Sequence, residues 1–225
     1  MRNLTWTAAA VFVLSCCATA EDTKAEDKLP VVFEDDFENG ADRWEPTDTK
    51  AWKIEDEGGN KVFHLFQGSD YAPPVRSPLN IAWIKDLNVS DFVFEGKLKQ
   101  TGKEYGHRDL CIFFGKQDAA HFYYVHIATK ADDHANSIFL VNNEPRVSIA
   151  KDRTSGTDWG STDSYNTVRV VRNTESGSIE VYFNDMEKPI MVAEDKTFAT
   201  GAIGIGSFDD VGCFDDIVIR AKVVK

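Results

Sequence analysis

The chain has 225 residues, of which 42% are hydrophobic and 12% aromatic, and its formal net charge is −12. This composition is typical of a well-packed globular protein and excludes a disordered chain. The negative charge argues against nucleic acid and anionic membranes as partners, because Lys and Arg are scattered singly and form no basic patch that would reverse the repulsion.

The N-terminus has the pattern of a signal peptide spanning residues 1–20. Arg2 supplies positive charge, an apolar run covers 8–14, and Ala-Thr-Ala stands before the expected cleavage site. The run is too short for a membrane span, which needs roughly 20 apolar residues. We therefore expect export to the periplasm or beyond, with no membrane span. Lipid attachment through Cys16 or Cys17 is the alternative.

Residues 21–28 are mostly charged and lack large hydrophobic side chains, which predicts a short solvated leader. From residue 29 onward, short apolar runs alternate with turn-forming residues, and no stretch keeps a helical period over three turns. The runs are VVFEDDF, KVFHLF, IAWI, DFVFEGKLK, LCIFFG, HFYYVHIA, SIFLV, TVRVVRN, SIEVYFN, GAIGIGSF and FDDIVIRAKVV. We therefore expect a single all-β domain over 29–225.

Alternation within the runs indicates how the strands pack. In SIEVYFN, Ile179, Val181 and Phe183 share one strand face, and Glu180 and Tyr182 share the other. A sheet of such strands has one core face and one wet face, which is typical of a sandwich of two antiparallel sheets.

Several motifs together resemble a concanavalin A-like jelly roll, and most of all the secreted bacterial domains grouped as 3-keto-disaccharide hydrolase-like. The motifs are FEDDFENGADRWEPTDTKAWKIEDEG, DFVFEGKLK, CIFFGKQDAAHFYYVHIA, GSIEVYFNDMEKPIM and GAIGIGSFDDVGCFDDIVIR. The resemblance covers nearly the whole chain after the signal peptide. It implies a jelly-roll β-sandwich of two antiparallel sheets whose concave face binds an oligosaccharide or polysaccharide, with no organic cofactor.

Four of the five histidines lie between residues 107 and 146, in strand-forming sequence. Within the strand HFYYVHIA, alternation places Tyr124 and His126 on one face. The opposite face carries Tyr123, Val125 and Ile127, which we expect in the core. Tyr124 and His126 are then expected on the open, sugar-binding face.

The candidate catalytic groups are imidazoles, a phenol and guanidiniums of this region: His107, Arg108, Tyr124, His126 and Arg146. Hydrolysis by paired carboxylates is not indicated, because the ExDxxE pattern of laminarinases is missing from the sequence. A Tyr/His/Arg set suits proton abstraction beside a carbonyl, with Arg neutralising the developing enolate. The expected substrate is a 3-keto-glycoside, which the resemblance favours, or a uronic acid.

A non-catalytic lectin-like module is the alternative to an enzyme. Convergence of the candidate groups in one cleft favours the enzyme, and scatter with an aromatic groove favours the lectin. Asp133, His134 and Trp159 are the candidate substrate-binding residues. Trp159 lies in the polar loop RTSGTDWGSTDS, where we expect an exposed ring that stacks on sugar.

Structural calcium is a further expectation that the resemblance implies. Asp36 in the first strand and Asp216 in the last occupy the resembling positions, and the carbonyl of Gly40 would complete the oxygen shell.

Two other features leave alternatives open. A zinc-type ion is a second metal hypothesis, with ligands from His107, His126, His134 and Asp133. Cys111 and Cys213 either form a disulfide or remain buried free thiols.

Overall fold

A computed structural model describes residues 28–225. The predicted signal peptide, its cysteines and all of the leader but Lys28 lie outside these residues. The strands are β1 (Val31–Asp35), β2 (Trp44–Pro46), β3 (Trp52–Asp56), β4 (Lys61–Leu65), β5 (Asn80–Ile84), β6 (Val89–Gln100), β7 (Asp109–Asp118), β8 (His121–Ala128), β9 (Ser137–Asn142), β10 (Val147–Ser148), β11 (Ala150–Arg153), β12 (Asn166–Arg172), β13 (Ser178–Phe183), β14 (Met191–Glu194), β15 (Ala202–Ser207) and β16 (Gly212–Val223). A 3-10 turn spans Thr49–Ala51.

The strands form two sheets. The nine-stranded sheet has the order β11-β14-β13-β12-β6-β16-β4-β3, with β1 paired to β16. The seven-stranded sheet has the order β10-β9-β8-β7-β15-β5-β2. Neighbouring strands are antiparallel throughout the described residues. The predicted all-β sandwich of two antiparallel sheets is confirmed. No helix among residues 28–225 is long and apolar enough to span a membrane.

The main core lies between the two sheets and follows the predicted alternation. Tyr123, Val125 and Ile127 of β8 belong to this core. The core face of β13 likewise carries Ile179, Val181 and Phe183. Alternation therefore identified the inward-facing side chains correctly, because a strand's side chains point to its two faces in turn.

The outer face of the seven-stranded sheet carries a second apolar cluster, which we call the outer aromatic layer. Its members are Ile81, Trp83, Cys111, Phe113, Phe122, Tyr124, Phe139 and Val141. Loop side chains lie over part of it. The Arg146 guanidinium stacks 4.9 Å from the ring centre of Phe139 and 3.9 Å from that of Phe208.

The expected open position of Tyr124 and His126 is wrong. Both side chains point to the outer face, as alternation predicted, but Tyr124 is 0% exposed and His126 only 3%. The reason is the cover over the outer aromatic layer: Arg146 donates a 2.8 Å hydrogen bond to the Tyr124 hydroxyl, and the Phe208 ring lies 6.2 Å from the His126 ring.

Candidate functional site

A cleft of about 520 Å³ remains open on the outer face of the seven-stranded sheet, beside β5 and β2. We call it the Trp83 cleft. Its lining comprises Glu45, Pro46, Thr47, Tyr71, Ser77, Ile81, Trp83, Lys116, Gln117, Asp118, Ala119 and Phe122. These residues come from β2, the β4–β5 connection, β5 and the β7–β8 hairpin, so sequence-distant segments build the cleft together.

Trp83 forms the aromatic floor of this cleft. Its neighbour on β15 is Gly204, and a Cβ there would come within 2.8 Å of the indole, so a residue without a side chain is required for the ring to lie across the sheet. Phe113 and Phe122 pack edge-on at ring-centre distances of 5.7 and 5.8 Å and fix its orientation. The Lys116 ammonium lies 4.6 Å from the ring centre and caps it.

Polar groups surround the floor. Burial lowers the pKa of half-buried Lys116. The Asp118 carboxylate accepts hydrogen bonds from the Ala120 amide at 2.8 Å and the His121 ring at 2.7 Å, and these bonds lower its pKa. The carboxylate of Glu45 is exposed at the opposite wall. Carboxylates, an amide and an ammonium around an aromatic surface can hold a ligand that has both hydroxyls and an apolar face.

The five candidate catalytic residues do not line the Trp83 cleft. Tyr124 and Arg146 are in contact under the loop cover. His126 lies deeper, with its Nε2 atom 3.7 Å from a carboxylate oxygen of Asp109. Burial, and then the charge of Arg146, lower the pKa of His126 to about 3, so this imidazole is neutral at physiological pH. His107 lies near the surface and contacts Asp132.

The fifth candidate, Arg108, lies with Trp159 in a separate cavity at the other end of the β7–β8 hairpin. The expected exposure of Trp159 is wrong, since this residue is 1% exposed. Its loop folds inward: the indole packs edge-on against Phe183 at 5.1 Å, and the Asn166 amide donates a 3.1 Å hydrogen bond to the Trp159 carbonyl.

Asp133 and His134, the other candidate substrate-binding residues, are exposed in the turn between β8 and β9. The His134 amide donates to the Asp132 carboxylate at 2.7 Å, and Arg146 donates to the His134 carbonyl at 2.9 Å. These contacts shape the turn, and neither residue lines the Trp83 cleft or the cavity of Arg108.

Three acids from two distant parts of the sequence come together at the start of β7. Asp109, Asp209 and Asp210 each place an oxygen within 4.8 Å of the others, and within residues 28–225 this is the one such group of three ligand-type side chains. It contains no histidine. Burial and the charge of Asp210 raise the pKa of Asp109, and burial raises that of Asp210.

The buried Oδ1 atom of Asp109 has no hydrogen-bond partner, while Oδ2 accepts from the Phe208 amide at 2.8 Å. Tyr105 donates a 2.7 Å hydrogen bond to Asp210. Closely spaced carboxylates either retain a proton or bind a hard cation. An acid at the head of the apolar strand DLCIFF is the sequence signal for this burial.

Asp36, Gly40 and Asp216 line one cleft of about 620 Å³. Burial raises the pKa of neighbouring Asp215, and the charges of Asp216 and Asp36 add to this effect. Carboxylates and backbone carbonyls that line one cleft are the oxygen donors that a hard cation takes. The donor types therefore suit the calcium site that the resemblance implies, but the acids that lie within 4.8 Å of one another are Asp109, Asp209 and Asp210, and calcium at Asp36, Gly40 and Asp216 stays a prediction.

Of the two alternatives for the cysteines, the structure has free thiols. Cys111 on β7 and Cys213 on β16 are both buried and unpaired.

The chain is similar to known proteins at the level of the fold. No protein-family model matches the chain, and no curated protein does. The carbohydrate-binding module CBM66 from Bacillus subtilis superposes with a TM-score of 0.54 and 16% identity, over 80% of this chain and 96% of that one. The metal-free lectin I-B4 from Griffonia simplicifolia has a TM-score of 0.53 and 12% identity, over 83% and 96% of the two chains. Winged bean acidic lectin, complexed with methyl-α-D-galactose, has a TM-score of 0.55 and 9% identity, over 82% and 94%.

These similarities match the architecture built above from the strands. Both sheets are antiparallel, and the matched regions span most of each chain. The chain has the fold of the concanavalin A-like lectins.

Proposed function

We propose that this protein binds carbohydrate in the Trp83 cleft as a non-catalytic, lectin-like module. The observation that carries the proposal is the cleft itself, an aromatic floor within a ring of polar side chains. Sugar rings offer an apolar face that packs on aromatic rings and hydroxyls that bond to carboxylates and amides. The volume of about 520 Å³ lies in the usual range for small-ligand sites.

Each part of the cleft has a role in the proposed complex. The sugar packs over Trp83 once the Lys116 ammonium moves off the indole, and that ammonium then donates to a hydroxyl. Exposed Glu45 and Asp118 accept hydroxyl hydrogen bonds from opposite walls. The names of the fold neighbours, a carbohydrate-binding module and two lectins, support the same ligand class. The expected export of the chain supports contact with glycans outside the cytoplasm.

Screening on a glycan array and then calorimetric titration with the best sugar test this proposal. Asp118→Asn and Glu45→Gln should each weaken binding about tenfold, because each removes a charged acceptor of a hydroxyl. Asp152→Asn is the matched control, since Asp152 is an exposed carboxylate on β11 outside the cleft. An array without sugar binding, or cleft variants that bind like the control, would reject the proposal.

A second candidate is cleavage of a 3-keto or acidic glycan, from the resemblance to 3-keto-disaccharide hydrolase-like domains. One observation favours it: the raised pKa values of Asp109 and Asp210 suit a proton donor, and His126 is 3.7 Å from Asp109. Because Asp109 is fully buried, its segment must open to admit a sugar. Incubation with 3-keto-disaccharides and uronic-acid polysaccharides distinguishes the candidates, since only an enzyme releases new reducing ends or unsaturated products.

A further inference from the structure

The cavity beside Arg108 is separate from the Trp83 cleft, and two of its lining residues, Arg108 and Trp159, have buried donors without acceptors. It has a volume of about 380 Å³. Arg108 directly precedes β7 and Thr129 directly follows β8, so the cavity lies at the open end of this hairpin, whereas residues 116–119 of the cleft lie at its turn. We call it the Arg108 cavity. A ligand here would not meet a sugar in the Trp83 cleft.

Three buried side-chain nitrogens of residues that line this cavity lack hydrogen-bond partners. The Arg108 side chain is 4% exposed, and only its Nη2 atom is bonded, to the Gly160 carbonyl at 3.2 Å. The Nε and Nη1 atoms of Arg108 and the Nε1 atom of Trp159 are buried without an acceptor. Buried donors without partners cost folding free energy, and a buried guanidinium costs more because it is charged. A ligand that brings a hydrogen-bond acceptor into the cavity would offset this free-energy cost.

Two carboxylates line the cavity, but neither forms a hydrogen bond with Arg108. The nearest carboxylate in an ion pair with Arg108 belongs to Glu104, 3.9 Å from Nη1 and beyond hydrogen-bonding distance. The Glu104 side chain is 78% exposed, so water competes for it. The Asp158 carboxylate accepts a 2.9 Å hydrogen bond from the Gly160 amide instead. The cavity thus has one buried guanidinium, and the two acids of its lining are exposed on its rim.

We propose that the Arg108 cavity binds the carboxylate of a small acidic ligand, such as a uronic acid. The ligand carboxylate takes the place of Glu104 opposite Arg108, and the Trp159 Nε1 atom donates a second hydrogen bond. A single negative charge fits better than a dianion, because Glu104 and Asp158 on the rim repel additional charge. Guanidinium and carboxylate form strong, charge-assisted hydrogen bonds when water is excluded.

Titration of the purified protein with sodium glucuronate, monitored by calorimetry and by NMR, tests this site, with glucose and sodium sulfate as comparison ligands. Arg108→Gln should weaken glucuronate binding at least about tenfold, because the charge is lost. Trp159→Phe keeps the ring and removes one donor, and should weaken binding about threefold to tenfold. Trp52→Phe is the matched control: its Nε1 atom is also buried without a partner but lies outside the cavity.

Glu104→Gln gives the opposite expectation and guards against loss of folding. This exposed side chain competes with the ligand for Arg108, so its neutralisation should tighten glucuronate binding about threefold. Failure of the parent to bind glucuronate would overturn the proposal, and so would a loss of glucose or sulfate binding in Arg108→Gln as large as the loss of glucuronate binding. An unchanged affinity of Glu104→Gln for glucuronate would also overturn the proposal, even if Arg108→Gln did not fold. Because Asp118→Asn should not alter glucuronate binding, the site and the sugar cleft can fail independently.

Discussion

The outer faces of the two sheets differ, although both sheets pack into one common core. On the nine-stranded sheet, Glu95 accepts hydrogen bonds from Arg169 at 2.7 Å and Arg220 at 3.0 Å, and all three side chains are partly exposed. On the seven-stranded sheet, the outer face is the buried aromatic layer. The difference shows that an apolar outer face is covered by loops, whereas a polar one stays in contact with water. A ligand cleft remains where the loops leave the apolar face open.

The strand sequences account for this difference. In β12, buried Val168 and Val170 alternate with Arg169, so one face meets water. In β8, by contrast, every residue from Phe122 to Ala128 is buried. A strand that is apolar at successive positions must be covered on both faces. On the seven-stranded sheet the loop residues supply that cover, and the Trp83 cleft is the part left open.

Tyr124 and Tyr182 give a matched test of the two outer faces, because each is a buried tyrosine on the outer side of its sheet. Tyr124→Ala should lower the free energy of unfolding by about 3–5 kcal/mol, since Tyr124 stacks on Phe139 at 5.1 Å and Phe113 at 5.8 Å. Tyr182→Ala should cost about 2 kcal/mol, because it packs in a small cluster with Val93 and Val171. Chemical denaturation of both variants measures the difference. Equal losses would show that the outer aromatic layer is no tighter than the opposite face.

Sequence patterns predicted the fold and the direction in which the strand side chains point. They did not predict which outward-pointing side chains are buried under loops. The two-residue period of β8 correctly separated Tyr123 from Tyr124, because this period is a property of the strand alone. The burial of Tyr124 depends on Arg146 and Phe208, which lie far from it in sequence and on other elements. Even so, the unbroken apolar run HFYYVHIA was itself a signal of burial on both faces.

For the candidate sites, the sequence predicted some of the residues but not the cleft that they or others line. Arg108 and Trp159 were chosen for separate reasons, and the structure brings them to one cavity. The Trp83 cleft was not predicted, because its walls come from β2, β5 and the β7–β8 hairpin and meet only through the sheet order. Asp36 and Asp216 line one cleft as the resemblance implied, since β1 pairs with β16.

Buried His126 should make the free energy of unfolding of the protein depend on pH. The unfolded chain binds a proton on this imidazole below about 6.5, whereas the folded protein binds it only below about 3. Between these values the unfolded state holds more protons, so acidification destabilises the fold by up to about 1.4 kcal/mol per pH unit. The stability advantage of the parent over His126→Gln should therefore fall as pH falls from 6.5 to 3. Above pH 6.5 it should be constant.

Denaturation at several pH values, with a chelator present so that no cation bound at Asp109 contributes, measures this difference. Val192→Ala on β14 provides a control on the other sheet that neither adds nor removes a titratable group. A stability difference between parent and His126→Gln that is independent of pH would show that His126 is protonated normally in the folded protein. Its burial would then not govern its charge.

The smallest effect is expected at the ion pairs on the wet face. Glu95 and Arg169 face each other on β6 and β12, and Arg169 donates both its Nε and Nη2 hydrogen bonds to one oxygen of Glu95. Their side chains are 26% and 30% exposed, so water and salt screen the attraction. A double-mutant cycle with Glu95→Gln and Arg169→Gln should give a coupling of about 0.2–1 kcal/mol, and this coupling should shrink in high salt.

The equivalent cycle with Tyr124→Phe and Arg146→Gln should change less with salt, because that contact is enclosed by the loop cover. A larger, salt-resistant coupling between Glu95 and Arg169 would mean that the outer face of the nine-stranded sheet is shielded too, and the contrast between the two faces would fail.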